Sequence, residues 1–411
     1  MSTPKRERIT LLSISLFIFI VQIITLRPPV GIGEPYYIAQ NIANGLGYSY
    51  LHPFAHAPEI TCFIAPLYVG FHLLIINLGL SVVVAQIIGL LFFHLANITI
   101  YSLIKQVTQP ALALIGFIAL GCYLPLWIIT QKLEPDGLNM LLLALTLLIV
   151  YRLRSKPTLR NWLLLGILYG VQLLVRPDIL MGVVVFGLWL IIPSAQWWKY
   201  VKGYVIACFV ALMIVAPWTI RNYSVFGKVV LVSANSGYNL YLGNNINASG
   251  EFPQNVTTQQ GKKEVDSIDR FFRAHTSDVE RDAFLLALSK EWIMSQPLEA
   301  MGLAGKKFIM HWWHRDKAGS EVESKPWMMF VYDIASVYLL IFGFIGLFSL
   351  QRKEFRSLIL SVFFYSSAIS VIFFVQSRHR AIKVDPYLVP LSVIGVDYVI
   401  RKLISKKEHI V

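Results

Sequence analysis

Ten stretches of the chain are apolar enough, and poor enough in charge, to be read as crossing a bilayer: 9–26, 81–104, 111–131, 137–151, 161–175, 179–193, 204–220, 328–350, 357–376 and 386–400. A helical span needs ~20 predominantly apolar residues, and most of these stretches approach that length. The two runs 161–175 and 179–193 are short and flank Arg176-Pro177-Asp178. A helix of about 15 residues reaches only about 22 Å, so this hairpin is expected to hold Arg176 below the outer membrane surface, inside a cavity. The bland reading is a snorkelling arginine beside a proline turn. One further apolar run, 62–79, is read as an interfacial or re-entrant helix packed against protein.

The distribution of lysine and arginine tests this topology. With the N-terminus in the cytoplasm, ten spans return the C-terminus there. Of 36 Lys and Arg residues, 17 then fall inside, six in the short outer segments and 13 in one large outer loop, which does not count in the positive-inside rule. Counting 62–79 as a span would turn the basic clusters at 152–160 and 352–356 outward. The chain is therefore expected to divide into an N-terminal membrane module (1–220) carrying a long first outer loop (27–80), an outer segment (221–327), and C-terminal membrane helices (328–411). In the outer segment, the Asn- and Gly-rich start around 229–252 reads as turns and short strands. Val279–Trp313 has helical periodicity, with Ser295 as a cap before Pro297. That pair is too apolar to stand free in water and reads as a lid or side wall on the membrane part.

Composition agrees with an all-α polytopic protein of the membrane. Hydrophobic residues make up 56% of the 411, charged residues 14%, and the mean hydropathy is +0.61. Cys62, Cys122 and Cys208 lie in apolar runs at unrelated spacings, which excludes a disulfide framework or zinc site read from spacing. A net charge of +13 could signal nucleic acid, but no basic soluble domain carries it, and no nucleic-acid partner is expected. His52 and His56 stand four apart, but Pro53 and Pro58 disfavour a helix that would face them together.

Sorted by side, the outer face collects the reactive groups. Glu34 follows the first span, where an acid is costly without a partner or a task. Glu134 and Asp136 lie between the third and fourth spans, Arg176 and Asp178 in the hairpin, and Arg221 at the end of the seventh span. Arg378, Arg380, Lys383 and Asp385 close the set. Guanidinium groups suit a bidentate grip on phosphate, and a carboxylate suits removal of a hydroxyl proton. Tyr36, Tyr37, Asn235 and Asn239 could place a sugar by stacking and hydrogen bonds. Each also has a structural reading: Glu134 and Asp136 as helix caps, Arg378, Arg380 and above all Lys383 as interface anchors, and the tyrosines as aromatic-belt residues.

Several stretches resemble the GT-C glycosyltransferases of bacterial membranes, of the protein O-mannosyltransferase and lipid A aminoarabinose transferase kind. They are Glu34-Pro-Tyr-Tyr with Gly45-Leu-Gly47-Tyr48, Ala65-Pro66-Leu67-Tyr68, Val175-Arg176-Pro177, Ala216-Pro217-Trp218-Thr-Ile-Arg221-Asn222-Tyr223, the run from Ser233 to Asn245, and Arg378-His-Arg380. The resemblance implies a GT-C fold, a polyprenyl-phosphate sugar as donor, and an acid of the first outer loop as base. That family shows an Asp-Glu pair where this chain has Gly33-Glu34. The base is thus expected to be Glu34, with Glu134 and Asp136 as further candidates, or else the protein has an altered or non-catalytic role. Arg176, Arg221, Arg378 and Arg380 are expected to hold the donor phosphate. Some members bind a divalent cation near the loop acid, so Mg or Mn is a possible cofactor here. The expected partners are the lipid-linked donor, membrane lipids, and a lipid, glycan or protein acceptor. The expected location is the plasma (inner) membrane, with the site on the outer face. Competing classes are a flippase or transporter for lipid-linked saccharides and a non-catalytic subunit of envelope polysaccharide assembly.

Overall fold

The computed structural model describes residues 3–26, 33–51, 57–194, 196–251, 259–275, 277–313 and 326–408. His52 and His56 lie outside them. The described chain is almost entirely helical. In the N-terminal half come α1 (Thr3–Ile24), α2 (Glu34–Ala43), α3 (Pro66–Asn77), α4 (Val82–Ile104), α5 (Pro110–Gly121), α6 (Leu124–Thr130), α7 (Asp136–Ser155), α8 (Leu159–Val175), α9 (Ile179–Ile191) and α10 (Trp197–Phe226). The outer segment holds α11 (Ser236–Gly243), α12 (Gln259–Ala274), α13 (Asp278–Ser295) and α14 (Pro297–Trp312). The chain closes with α15 (Pro326–Ser349), α16 (Lys353–Ile372), α17 (Ser377–Lys383) and α18 (Asp385–Glu408). Proline sits in the first turn of α2, α3, α5, α6 and α14, where its missing N–H costs no hydrogen bond. A two-stranded antiparallel ribbon, β1 (Ser49–Tyr50) with β2 (Glu59–Ile60), pairs Ser49 with Ile60 and Tyr50 with Glu59.

Every stretch expected to cross the membrane is helical. Five described helices are long and apolar enough to do so: α1 from Lys5, α4, α7, α10 and α16. The pair α5 and α6, bent by 53° at its break, adds a sixth. The helices α8 and α9 and the part of α15 from Asp333 are apolar but shorter. The run 62–79 yields the 12-residue α3, too short to span, as its re-entrant reading expected.

Close helix approach replaces the hydrophobic drive that lipid cannot supply. A Cβ on Gly346 of α15 would stand 1.9 Å from the carbonyl oxygen of Leu391 in α18, so only glycine lets these backbones meet. The main core gathers buried residues of α4, α5, α7 to α10 and α15 to α18 around Phe93, Phe117, Tyr169, Phe186 and Tyr365.

The outer segment departs from the sequence reading. Where turns and short strands were expected, Ser236–Gly243 forms α11, because its backbone packs tightly on α13: a Cβ at Gly237 would lie 2.0 Å from the Asp282 carbonyl. The strongly polar α12 carries a narrow apolar stripe at helical spacing, Val265, Ile268 and Phe272, which the sequence reading passed over. Helix α14 begins after Gln296, and the Ser295 hydroxyl donates back to Trp292 O instead of capping it.

Candidate active site

The first outer loop is held from below and from the side. Positive φ at Gly45 (81°) and Gly47 (67°) turns the chain out of α2 and into β1, a conformation side chains disfavour. Asn41 Nδ2 then donates to Ser49 O (2.9 Å), and Tyr48 Oη to Ile64 O (2.9 Å). Asp278, at the start of α13, accepts from Thr61 Oγ1 (2.5 Å) and from the Cys62 backbone N–H (2.7 Å). Arg281 pairs with Glu59 and also donates to Phe272 O (2.7 Å). Asn235 Nδ2 donates to Phe63 O (2.8 Å), and the Ala234 N–H to Cys62 O (2.9 Å).

Arg221 belongs to this clasp. One guanidinium nitrogen donates to Thr61 O (2.8 Å) and to Asn222 Oδ1 (3.1 Å). Its carbon lies 4.8 Å from the Trp218 ring, 5.2 Å from Tyr48 and 5.7 Å from Phe226. Three rings and two oxygens thus surround the cation that the sequence reading assigned to the donor phosphate. Asn235, expected at a sugar, likewise has its amide committed to Phe63 O, and its Oδ1 accepts from Ser233 (3.1 Å). Asn239, on α11, bonds through its backbone N–H to Asn235 O.

A second cluster forms where the start of α2 meets the loop between α6 and α7. Glu34 opens α2, and its charge acts on Glu134, Tyr50 and Tyr238, which places these four groups around one space. Tyr50 and Phe63 stack with planes 3° apart, and Phe63 meets Tyr238 edge-on at 5.3 Å, so an aromatic wall stands beside the acids. Burial first, and the Glu34 carboxylate next, hold both phenols above their ordinary value. Glu134 is 19% exposed, with Arg378 NH1 3.9 Å away. Burial pushes the Glu134 carboxyl up to about 7, Arg378 and Arg176 offset part of that, and Glu34 and Asp136 add to it. Asp136 is fully buried and faces Arg176 at 3.2 Å. It stands in the first turn of α7, where an acid suits the helix N-terminus as the sequence reading had it, and it also faces Arg176 as a counter-charge. Tyr36 turns its ring edge to His72 at 5.4 Å, and Tyr37 is 47% exposed.

Helix α17 delivers its cations to three different places. Arg378 faces Glu134 and donates from Nε to Gln376 Oε1 (2.8 Å). Arg380 is 5% exposed and turns away, pairing with Asp385 (2.9 Å) and donating to Trp312 O (2.5 Å). Tyr123 Oη donates to the other Asp385 oxygen (2.9 Å). Lys383 is 1% exposed, pairs with Asp178 and lies 5.2 Å from the Tyr365 ring. It is thus a buried ion-pair partner and not the interface anchor expected of it. Of the sequence-predicted groups, the structure brings together Glu34, Glu134, Asp136, Arg176 and Arg378. It keeps Arg221, Arg380 and Asn235 in neighbouring scaffolds. Tyr50, Phe63 and Tyr238 were missed. The alternation Tyr48-Ser49-Tyr50 was a usable signal for the first, and no local pattern marked the others.

Among the described residues no three His, Cys, Asp or Glu side chains lie close enough to share an ion, and Asp136 already faces a guanidinium.

Comparison with known proteins follows the same lines. Residues 64–220 match the family model described as dolichyl-phosphate-mannose-protein mannosyltransferase. No curated protein matches the sequence. Among solved structures, the archaeal oligosaccharyltransferase AglB from Archaeoglobus fulgidus, in complex with an inhibitory peptide and a dolichol-phosphate, superposes with a TM-score of 0.55 at 14% identity, over 98% of this chain and 52% of that one. The Archaeoglobus fulgidus oligosaccharyltransferase complexed with Zn and sulfate gives 0.54 at 15% identity, over 96% and 49%. The chain spans about half the length of the solved proteins it matches. Over 64–220 the sequence matches that mannosyltransferase family model, and the chain as a whole shares its fold with part of those solved oligosaccharyltransferases, to the extent of a TM-score of 0.55.

Proposed function

We propose that the protein transfers a sugar from a polyprenyl-phosphate carrier to a hydroxyl-bearing acceptor at the outer face of the plasma membrane. One observation carries the reading: two carboxylates, Glu34 and Glu134, and two guanidinium groups, Arg378 and Arg176, converge beside the stacked Tyr50–Phe63 wall, in a fold shared with a dolichol-phosphate-binding oligosaccharyltransferase.

The chemistry follows from what each group can do. Glu34 takes the acceptor's hydroxyl proton as the acceptor oxygen forms its bond to the sugar C1. The bond from C1 to the phosphate oxygen breaks with its electron pair, leaving a polyprenyl phosphate. Negative charge grows on that phosphate, and Arg378 is placed to receive it, since its pairing to Glu134 at 3.9 Å is loose. Arg176 supports the same field from behind Asp136. In-line displacement inverts the anomeric centre. The aromatic wall offers the sugar a flat apolar face with phenolic hydroxyls at its edge.

The experiment is turnover by the purified full chain in lipid, with a panel of polyprenyl-phosphate sugars and simple alcohol, glycan and peptide acceptors. Glu34→Gln is expected to lower turnover by about 10²–10⁴-fold, the usual worth of a general base. Full turnover in that variant would remove Glu34 from the role. Sugar moved across sealed vesicles without chemical change would replace transfer by transport.

A further inference from the structure

The glycine before Glu34 is not there for its backbone. Gly33 has φ −68° and ψ 157°, an extended conformation open to any residue. The space its side chain would fill is taken. A Cβ at residue 33 would stand 2.5 Å from Glu134 Oε1, 3.1 Å from its Cδ and 3.3 Å from Leu133 O. The carboxyl of Glu134 thus reaches into the gap immediately beside the first residue of α2.

The loop that carries it is fixed on several sides. Gln86 Nε2 donates to Gln131 O (2.9 Å), and His72 Nε2 bonds to Leu133 O at 3.1 Å. Tyr36, in the first turn of α2, turns its ring against that same His72, so α2, α3 and the loop share one stack. Behind it, a Cβ at Gly89 would meet Thr130 O at 2.6 Å, which leaves the loop no room to retreat. Among the described residues the Glu134 carboxyl forms no hydrogen bond, and at 3.9 Å Arg378 is a neighbour in charge only. The charged groups that act on it from surrounding elements are Arg378 of α17, Glu34 of α2, Asp136 of α7 and Arg176 of the α8–α9 turn.

We propose that Glu134 is the second carboxyl of the reaction centre, admitted beside Glu34 by the missing side chain of Gly33, and that it receives the acceptor's proton from Glu34. The inference rests on the glycosyl-transfer reading and deepens it. The proton leaves the acceptor hydroxyl for Glu34 and passes to the ionised Glu134. It then leaves through the partly exposed edge of that carboxyl, so that both acids return to their starting state. No oxidant, metal or further reactant enters. The charge of Glu34 acts on Glu134, and carboxyls coupled in this way share their protons between both sites.

The test uses the full chain in lipid and reads both turnover and the carboxyl infrared band as functions of pH. Wild type is expected to show a carboxyl transition near pH 7 and turnover rising across it. Glu134→Gln removes that transition and the rising limb and lowers turnover about 10²-fold. Gly33→Ala pushes the flexible carboxylate aside and crowds Leu133 O only slightly, so it moves the transition toward the ordinary carboxylate range and lowers turnover about tenfold. Adding Glu134→Asp, one methylene shorter, restores part of what Gly33→Ala lost. A transition that survives Glu134→Gln, or Gly33→Ala that leaves both readouts unchanged, overturns the proposal. A wild type whose transition behaves as described but which transfers no sugar overturns the transfer reading alone, and the assignment of Glu134 as the titrating partner of Glu34 stands.

Discussion

Arg221 and Arg378 are the same side chain put to opposite uses. Arg221 lies among three aromatic rings and donates to Thr61 O and Asn222, in a clasp that also ties Asp278 to Thr61 and Arg281 to Glu59. Arg378 is one-third exposed, makes one side-chain hydrogen bond at Nε, and leaves the fork of its guanidinium facing Glu134 at 3.9 Å. A guanidinium carries five donors. Where rings surround the cation and it donates to the backbone, the charge can build structure; where it stays partly exposed beside an acid, it is suited to bind an anion.

Removing Asp136 tests that contrast most severely. It is fully buried opposite Arg176, so Asp136→Ala removes the carboxylate that this cation faces and leaves it to the more distant Asp178 and Glu134. Breaking such a pair costs about 3–5 kcal/mol. The expected result is a large fall in folded yield and thermal midpoint, measured by size-exclusion after heating in detergent. An Asp136→Ala variant with wild-type stability would mean that Arg176 is solvated from the site, and it would move Arg176 wholly to the phosphate.

Arg378→Ala comes next and reads on catalysis. Loss of one charge-stabilising donor lowers turnover by about 10²–10³-fold, with the unfolding midpoint nearly unchanged because the side chain is partly exposed. A variant that unfolds early while retaining turnover per folded molecule would place Arg378 with Arg221, in the scaffold.

The helical frame was legible because long apolar runs have few other solutions. The two short runs around Arg176 came out as the short apolar helices α8 and α9. What could not be read was which of several equivalent arginines meets which acid. Arg378 and Arg380 are two apart on α17, yet one faces Glu134 and the other Asp385, a difference set by the helix's rotation against Trp312. The occupied space at Gly33 depends on residues about a hundred positions away, and no local pattern records it. Helix α11 was taken for strands because its Asn and Gly content speaks for turns, whereas its packing on α13 decides.

Arg221→Met keeps the apolar stem while removing the charge. The lost hydrogen bond to Thr61 O and the ring contacts together amount to about 2–3 kcal/mol. Stability is expected to fall, and turnover of the surviving folded protein to stay within about threefold of wild type at low temperature, a small change on the scale of tenfold per 1.4 kcal/mol. A fall in turnover as deep as that of Arg378→Ala, with stability intact, would erase the distinction between the two arginines.

The smallest effect lies in the pH dependence of stability, and it separates the acids of the site from those of the clasp. The Glu134 carboxyl is raised in the folded protein to about 7 from an ordinary 4.5, chiefly by burial. A carboxyl raised on folding binds its proton more tightly in the folded chain, so stability is full below about pH 4.5, declines as pH rises toward 7, and levels off above it. Glu134→Gln carries no such proton. Its thermal midpoint relative to wild type is therefore expected to climb between pH 5 and 7 and then hold steady. A substitution in the clasp that removes no carboxyl, such as Thr61→Val, should shift the midpoint by the same amount at pH 6 and pH 8. Parallel curves for both variants would show that Glu134 is as settled in its surroundings as the acids of the clasp, and the division of the molecule into scaffold and reactive centre would then rest on Arg378 alone.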